Sequence, residues 1–165
     1  MIVIENLLKN QDHSYFQSLC YDVPYFISSS TEDKTHGILH SYLSAEDQYK
    51  SIFNTIIEKT SLKGDISTVL QAYINCAPAG KFHGGDWHND PGATTILYYP
   101  FGWDQKYGGR TVFKNGKSVD YIANSAVCFP AQLVHKAEPH RAPNWRFTIA
   151  LKTTLDMNNE DSNIK

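Results

Sequence analysis

Residues 144–155 read NWRFTIALKTTL. The stretch is rich in β-branched and aromatic residues, which favours a strand. In a strand, successive side chains point to opposite faces. Trp145, Phe147, Ile149 and Leu151 then share one face, and Arg146 and Thr148 share the other. The apolar set must face packed neighbours, so Arg146 and Thr148 point into the interior. A guanidinium there is costly unless it meets an anion. A carboxylate held bidentately by the guanidinium fork is the natural partner.

Working outward, the same strand-like composition recurs in DISTVLQAYINCA (65–77), ATTILYYP (93–100), RTVFK (110–114), SVDYI (118–122) and SAVCFP (125–130). Between them fall Gly, Pro and Asn punctuation and a hairpin signal at Asn115-Gly116. Many short strands with regular turns predict a closed barrel or jelly roll. Before residue 65 the pattern differs. QDHSYFQSLCYDV (11–23) and SAEDQYKSIFNTIIEKT (44–60) have helical spacing, the second with Ser44 as its expected cap and an apolar stripe of Tyr49, Ile52, Phe53, Ile56 and Ile57. The polar segment between them, 28–43, reads as a loop or lid at the mouth of a site. The expectation is a mainly β chain with flanking N-terminal helices (α+β). It forms one domain over 1–155, divided into a helical and loop part (1–64) and a β core (65–155), with a polar tail at 156–165.

With 165 residues the chain is long enough to bury a core. Its net charge of −2 gives no general attraction to nucleic acid or anionic membrane. Cys20, Cys76 and Cys128 are far apart and odd in number, which argues against a disulfide framework or a cysteine zinc site. Reduced thiols, a start without signal-peptide character and no long apolar run lead to the expectation of a cytoplasmic protein without a membrane span.

The chemistry gathers in GGDWHNDPG, residues 84–92. In extended conformation His88 and Asp90 aim an imidazole and a carboxylate the same way, skipping Asn89, which suits two adjacent ligands of one metal ion. Alone, such a pair arises often by chance in polar turns. LVHKAEP (133–139) adds His135, placed to begin the next strand. Two histidines and one carboxylate with open positions form the facial triad used by non-haem Fe(II) oxygenases.

The segments QAYINCAPAG, WHNDPG, TTILYYP, YGGRTVF, AVCFPAQLVHKAEP and WRFTIALK occur in an order that resembles the Fe(II)- and 2-oxoglutarate-dependent oxygenase superfamily. The closer likeness is to its prolyl-hydroxylase-like branch, including small bacterial and phage members. It runs from about Leu70 to Lys152. The resemblance implies a double-stranded β-helix, or jelly roll, with metal ligands His88, Asp90 and His135. It also implies that Arg146 binds the distal carboxylate of 2-oxoglutarate, with Thr148 beside it and Tyr73 adding a hydroxyl. Fe(II), 2-oxoglutarate and O2 are the implied cofactors and co-substrates, with ascorbate as a candidate reductant. The implied reaction is hydroxylation of a C–H bond in a protein residue or small molecule, with release of succinate and CO2. Where the family usually carries Gly-Gly-Glu, this chain has Gly108, Gly109 and Arg110, a departure that fits either a surface exchange or an anionic substrate.

Several other residues are candidates beside these. His83 and Asp86 read as loop or substrate-facing groups, and His140 competes with His135 for the third ligand position. His36 and His40 read as loop residues. Trp87 and Trp103 either pack or line the mouth. One of Tyr98 and Tyr99 points inward. Lys136, His140, Arg141 and Arg110 form a conceivable basic rim, although the net charge disfavours nucleic acid. Two rival functions share the β fold: a cupin-like barrel holding zinc or manganese, and a non-catalytic binding module.

Overall fold

The computed structural model describes residues 1–27 and 38–157. His36, most of the 28–43 segment and most of the tail lie outside this range. Among the described residues, ten strands form two sheets. The larger sheet has β1 (Ile2–Ile4), β2 (Phe26–Ile27), β3 (Leu39–Tyr42), β4 (Val69–Ala77), β5 (Thr94–Tyr99), β8 (Ser125–Pro130) and β10 (Arg146–Thr153), in the order β1-β8-β5-β10-β4-β3-β2. The smaller has β6 (Thr111–Phe113), β7 (Ser118–Val119) and β9 (His135–Ala137), in the order β7-β6-β9. All the strand pairings are antiparallel.

Strand parity sorts the side chains into two cores. Phe147, Ile149 and Leu151 of β10, Ile96 and Tyr98 of β5, and Ala72, Ile74 and Cys76 of β4 face outward from the β-helix. Helices α1 (Asn10–Asp22) and α2 (Lys50–Lys59) cover that face with Phe16, Cys20, Ile52, Phe53 and Ile56. Leu97 and Tyr99 of β5, Val127 and Phe129 of β8 and Ala150 of β10 face the smaller sheet, meeting Phe113, Val119 and Tyr121. Covered on both sides, β5 and β10 are buried along their whole length. The Tyr98–Tyr99 alternative is thereby resolved: Tyr99 points inward, and Tyr98 packs edge-on against Phe16.

Three local expectations need correction. Residues 39–42, read as part of a loop, form β3, which pairs with β4 from Leu39↔Cys76 to Tyr42↔Tyr73. Ser44 does not cap a single helix. A short 3-10 turn at Glu46–Gln48 precedes α2, and Tyr49 occupies the cap position of α2. Trp145 leaves the apolar face of β10 just before the strand begins and is 41% exposed. Parity alone does not bury a residue that lies outside the strand, which begins at Arg146.

Gly92 closes the stretch that carries His88 and Asp90. It has φ +90°, and a Cβ there would lie 2.4 Å from the Thr153 carbonyl oxygen. Gly92→Ala is expected to cost about 2–4 kcal/mol through left-handed backbone strain and this collision. Chemical denaturation of the two proteins would measure it. A loss below about 1 kcal/mol would mean that the backbone gives way easily.

Candidate active site

His88 and His135 lie directly opposite each other in an antiparallel bridge, His88 N–H donating to His135 O (3.0 Å) and His135 N–H to His88 O (2.9 Å). Asp90 N–H then donates to Ala131 O at 2.9 Å, so the HND stretch is extended, as its spacing predicts, although it forms a bridge and not a longer strand. The Asn89 amide donates to Gln132 Oε1 and holds the two segments together. Both imidazoles are oriented alike. The Nδ1 of His88 lies 2.9 Å from Asp86 O, and that of His135 lies 2.9 Å from Leu133 O. A carbonyl only accepts, so each Nδ1 carries the proton and each Nε2 offers its lone pair.

One ligand atom each from His88, Asp90 and His135 fall within 4.8 Å of one another, the geometry needed for a metal ion. Burial pushes the His135 imidazole down to about 4, with the Lys152 ammonium adding to it and Asp90 opposing it, so it is neutral and able to ligate. Burial alone would raise the Asp90 carboxyl. The Lys152 ammonium, His135 and the Thr95 hydroxyl outweigh it and hold Asp90 below its ordinary value, as a carboxylate.

Arg146 lines the same cavity as His88 and His135. The cavity, about 290 Å³, is also lined by His40, Tyr73, Asn75, Thr148 and Lys152. Arg146 is 5% exposed. Its Nε donates to Gly109 O at 2.9 Å and one terminal nitrogen to the Thr111 hydroxyl at 3.3 Å, and its guanidinium lies over the rings of Tyr121 (5.0 Å) and Tyr99 (5.9 Å). Gly109, at φ +84°, has no room for a Cβ, which would approach Trp103 to 2.7 Å. Among the described residues no carboxylate pairs with Arg146. A buried guanidinium keeps its charge, so the site has a standing demand for an anion.

Tyr73 lines the cavity from β4, where it pairs across from Ala150. The feature that sequence reasoning missed is Lys152. It lies on the Arg146–Thr148 face of β10, is 1% exposed, and donates from Nζ to Asp90 Oδ2 at 2.5 Å. Thr95, its cross-strand partner on β5, donates to the same oxygen at 2.7 Å. Parity contained the signal: four positions from Arg146 to Lys152 share one face of a strand buried at every residue.

The remaining candidates separate clearly. His140 is 1% exposed and sits between the Phe82 and Trp103 rings, with no hydrogen-bond partner at either ring nitrogen. It is outside the ligand cluster, which leaves His135 as the third member. Asp86 and Trp87 line the cavity, with Lys136 Nζ 4.7 Å over the Trp87 ring. Trp103 packs inside instead. His83 borders a different depression with Lys106 and Arg141. Arg110 forms a two-point ion pair with Glu138, at 2.9 and 2.6 Å, and is therefore engaged within the protein. With His140 buried and Arg110 paired, the basic rim expected from sequence reduces to Lys136 and Arg141.

Burial pushes the His140 imidazole down to about 4, with the Arg146 charge adding to it. A folded value below the unfolded one means stability is complete above about pH 6.5 and is lost as pH falls towards 4, because the unfolded chain binds more protons. His140→Leu should flatten part of that acid loss and, having no unpaired ring nitrogens, be neutral or stabilising at pH 7. Melting curves of the metal-free proteins from pH 7 to pH 4 test this. Its metal affinity should match wild type, and a large fall would return His140 to the ligand set.

No protein-family model matches the chain, and no curated protein sequence is detectably similar to it. Solved structures do match. A prolyl hydroxylase from Trichoplax adhaerens, in complex with a hypoxia inducible factor oxygen degradation domain peptide fragment, is 15% identical over 91% of this chain and 81% of its own, with a TM-score of 0.67. A prolyl-4-hydroxylase from Pseudomonas putida is 16% identical over 92% and 91%, with a TM-score of 0.65. The viral collagen prolyl hydroxylase from Paramecium Bursaria Chlorella virus-1, as its 2-oxoglutarate complex, is 11% identical over 94% and 96%, with a TM-score of 0.64. The fold is therefore the double-stranded β-helix of the 2-oxoglutarate and Fe(II) oxygenases. Within that class, the similar structures include small prolyl hydroxylases of bacterial and viral origin.

Proposed function

We propose that the chain is an Fe(II)- and 2-oxoglutarate-dependent dioxygenase that hydroxylates a C–H bond of a protein residue, of prolyl type, or of a small molecule, releasing succinate and CO2. The observation that carries this reading is Arg146: a buried cation with no carboxylate partner among the described residues, on the wall of the cavity lined by His88 and His135, which cluster with Asp90. A cupin-like zinc or manganese site has no use for such an anion clamp.

The residues divide the work as follows. His88 and His135 present their Nε2 atoms, and Asp90 presents a carboxylate oxygen, a donor set suited to Fe(II) with open positions. Iron, when bound, supplies the oxygen chemistry. Arg146 holds the distal carboxylate of 2-oxoglutarate through its free N–H groups, with Thr148 and Tyr73 as the adjacent hydroxyls. The walls of Leu97, Ala77 and Ala137 limit water around the reacting groups. Trp87, His40 and Ile38 border the side where a primary substrate enters. The T. adhaerens structure, with its peptide fragment, supports a polypeptide substrate. Net charge and the reduced basic rim disfavour nucleic acid.

Among the described residues no helix is long and apolar enough to cross a membrane. Cys20, Cys76 and Cys128 are buried free thiols, which supports a cytoplasmic setting. Anaerobic addition of Fe(II) and then 2-oxoglutarate tests the function. A weak visible charge-transfer band is expected only when metal and keto acid are both present. Metal binding without such a band would favour the cupin-like alternative.

A further inference from the structure

Lys152 is placed where a lysine is least expected, beside a carboxylate assigned to a metal. Its side chain is buried, and its ammonium lies 2.5 Å from Asp90 Oδ2 and 5.4 Å over the Tyr73 ring. Asp90 is itself buried. Oδ2 accepts from Lys152 and from Thr95 and lies 3.4 Å from His135 Nε2. Oδ1 faces His88 Nε2 at 3.9 Å. The two oxygens therefore differ: Oδ2 is committed within the protein, and Oδ1 is the one left for a metal.

We propose that Lys152 is a resident counter-cation of the metal site: it keeps the metal-free cavity folded and lowers the affinity of the site for divalent ions. The inference rests on the metal site proposed above. An isolated buried carboxylate is strongly unfavourable, and a buried partner of opposite charge offsets part of that cost. The same charge then works against a second cation. A divalent ion on Oδ1 must share its carboxylate with an ammonium already bound to Oδ2, and like charges at such short range in a buried site repel strongly. Orientation acts in the other direction, because a donor on Oδ2 fixes the carboxylate for its ligand. Thr95 supplies that orientation without a charge, from the strand position paired with Lys152. The two donors on one oxygen thus separate the two effects. The charged one dominates affinity, since a hydrogen bond's net worth is small beside repulsion between a unit and a double charge.

The test uses the full chain and Mn(II) alone as the probe, with affinity from calorimetric titration and stability from melting of the metal-free protein. Lys152→Met should lower the metal-free midpoint by roughly 5–15 °C, because it leaves Asp90 buried and unpaired. It should also bind Mn(II) at least about tenfold more tightly. Thr95→Val should show equal or weaker Mn(II) binding. A lysine that merely supports the fold or orients Asp90 would move Lys152→Met the other way, to unchanged or weaker affinity, and that result overturns the proposal. If Lys152→Met does not fold, Lys152→Gln keeps a neutral donor and must still bind Mn(II) more tightly. Wild type that binds no Mn(II) would remove the metal site and this inference together. A Lys152 effect on Mn(II) without any 2-oxoglutarate band on Fe(II) would leave the inference standing and remove only the co-substrate.

Discussion

Arg146→Ala is expected to weaken 2-oxoglutarate binding by roughly 30-fold to several-thousand-fold, the equivalent of about 2–5 kcal/mol, with little change in Fe(II) affinity. The size follows from what the guanidinium lacks. Its bonds to Gly109 O and the Thr111 hydroxyl, and its contacts with Tyr99 and Tyr121, fix its direction but supply no negative charge. Arg146 lines a cavity shared with His88 and His135. A dicarboxylate spanning the two places its far end in a dry, charge-assisted pair, the strong kind of hydrogen bond. Arg146→Lys should recover part of the loss, because an ammonium keeps the attraction but loses the fork. Affinities for both ligands in the three proteins decide the matter. Equal 2-oxoglutarate affinity in wild type and Arg146→Ala would remove the main reason for choosing this co-substrate over a plain metal-binding barrel.

What was legible in the sequence was local geometry. The parity of residues 146–151 placed Arg146 inside, because the two-residue alternation of a strand needs no knowledge of its partners. The same rule aimed His88 and Asp90 together. What was hidden depended on distant pairing. LHSY at 39–42 carries little strand character, and it becomes β3 because β4 offers it a partner more than thirty residues away. The choice between His135 and His140 was open in one dimension. Residue 135 bridges to residue 88, while residue 140 bridges to Phe82 and Gly108, which supports His135 as the proposed ligand. Lys152 escaped notice because lysine usually belongs on the surface. Its partner Asp90 is 62 residues away in sequence, and only the register of β10 against β5 brings them together.

That pairing changes what removal of each triad residue should do. His88→Ala, Asp90→Ala and His135→Ala should all abolish metal-dependent 2-oxoglutarate turnover, but they should not be equal in stability. The His88 side chain is about half exposed, and its backbone bridge to His135 does not depend on the ring, so His88→Ala should fold nearly as well as wild type. Asp90→Ala removes the only carboxylate that meets the buried Lys152 ammonium among the described residues. It leaves the Thr95 hydroxyl without its acceptor as well. Breaking a buried ion pair from one side costs about 3–5 kcal/mol, so the metal-free Asp90→Ala protein should be severely destabilised. The double variant Asp90→Ala/Lys152→Met should regain much of that stability while remaining unable to bind metal, because no unpaired charge is left in the cavity. Denaturant unfolding of wild type, the three single variants and the double variant measures every term. If Asp90→Ala proves as stable as His88→Ala, the Lys152 ammonium is not confined to the cavity in the way its burial indicates. Loss of turnover in Asp90→Ala would then report on ligation alone.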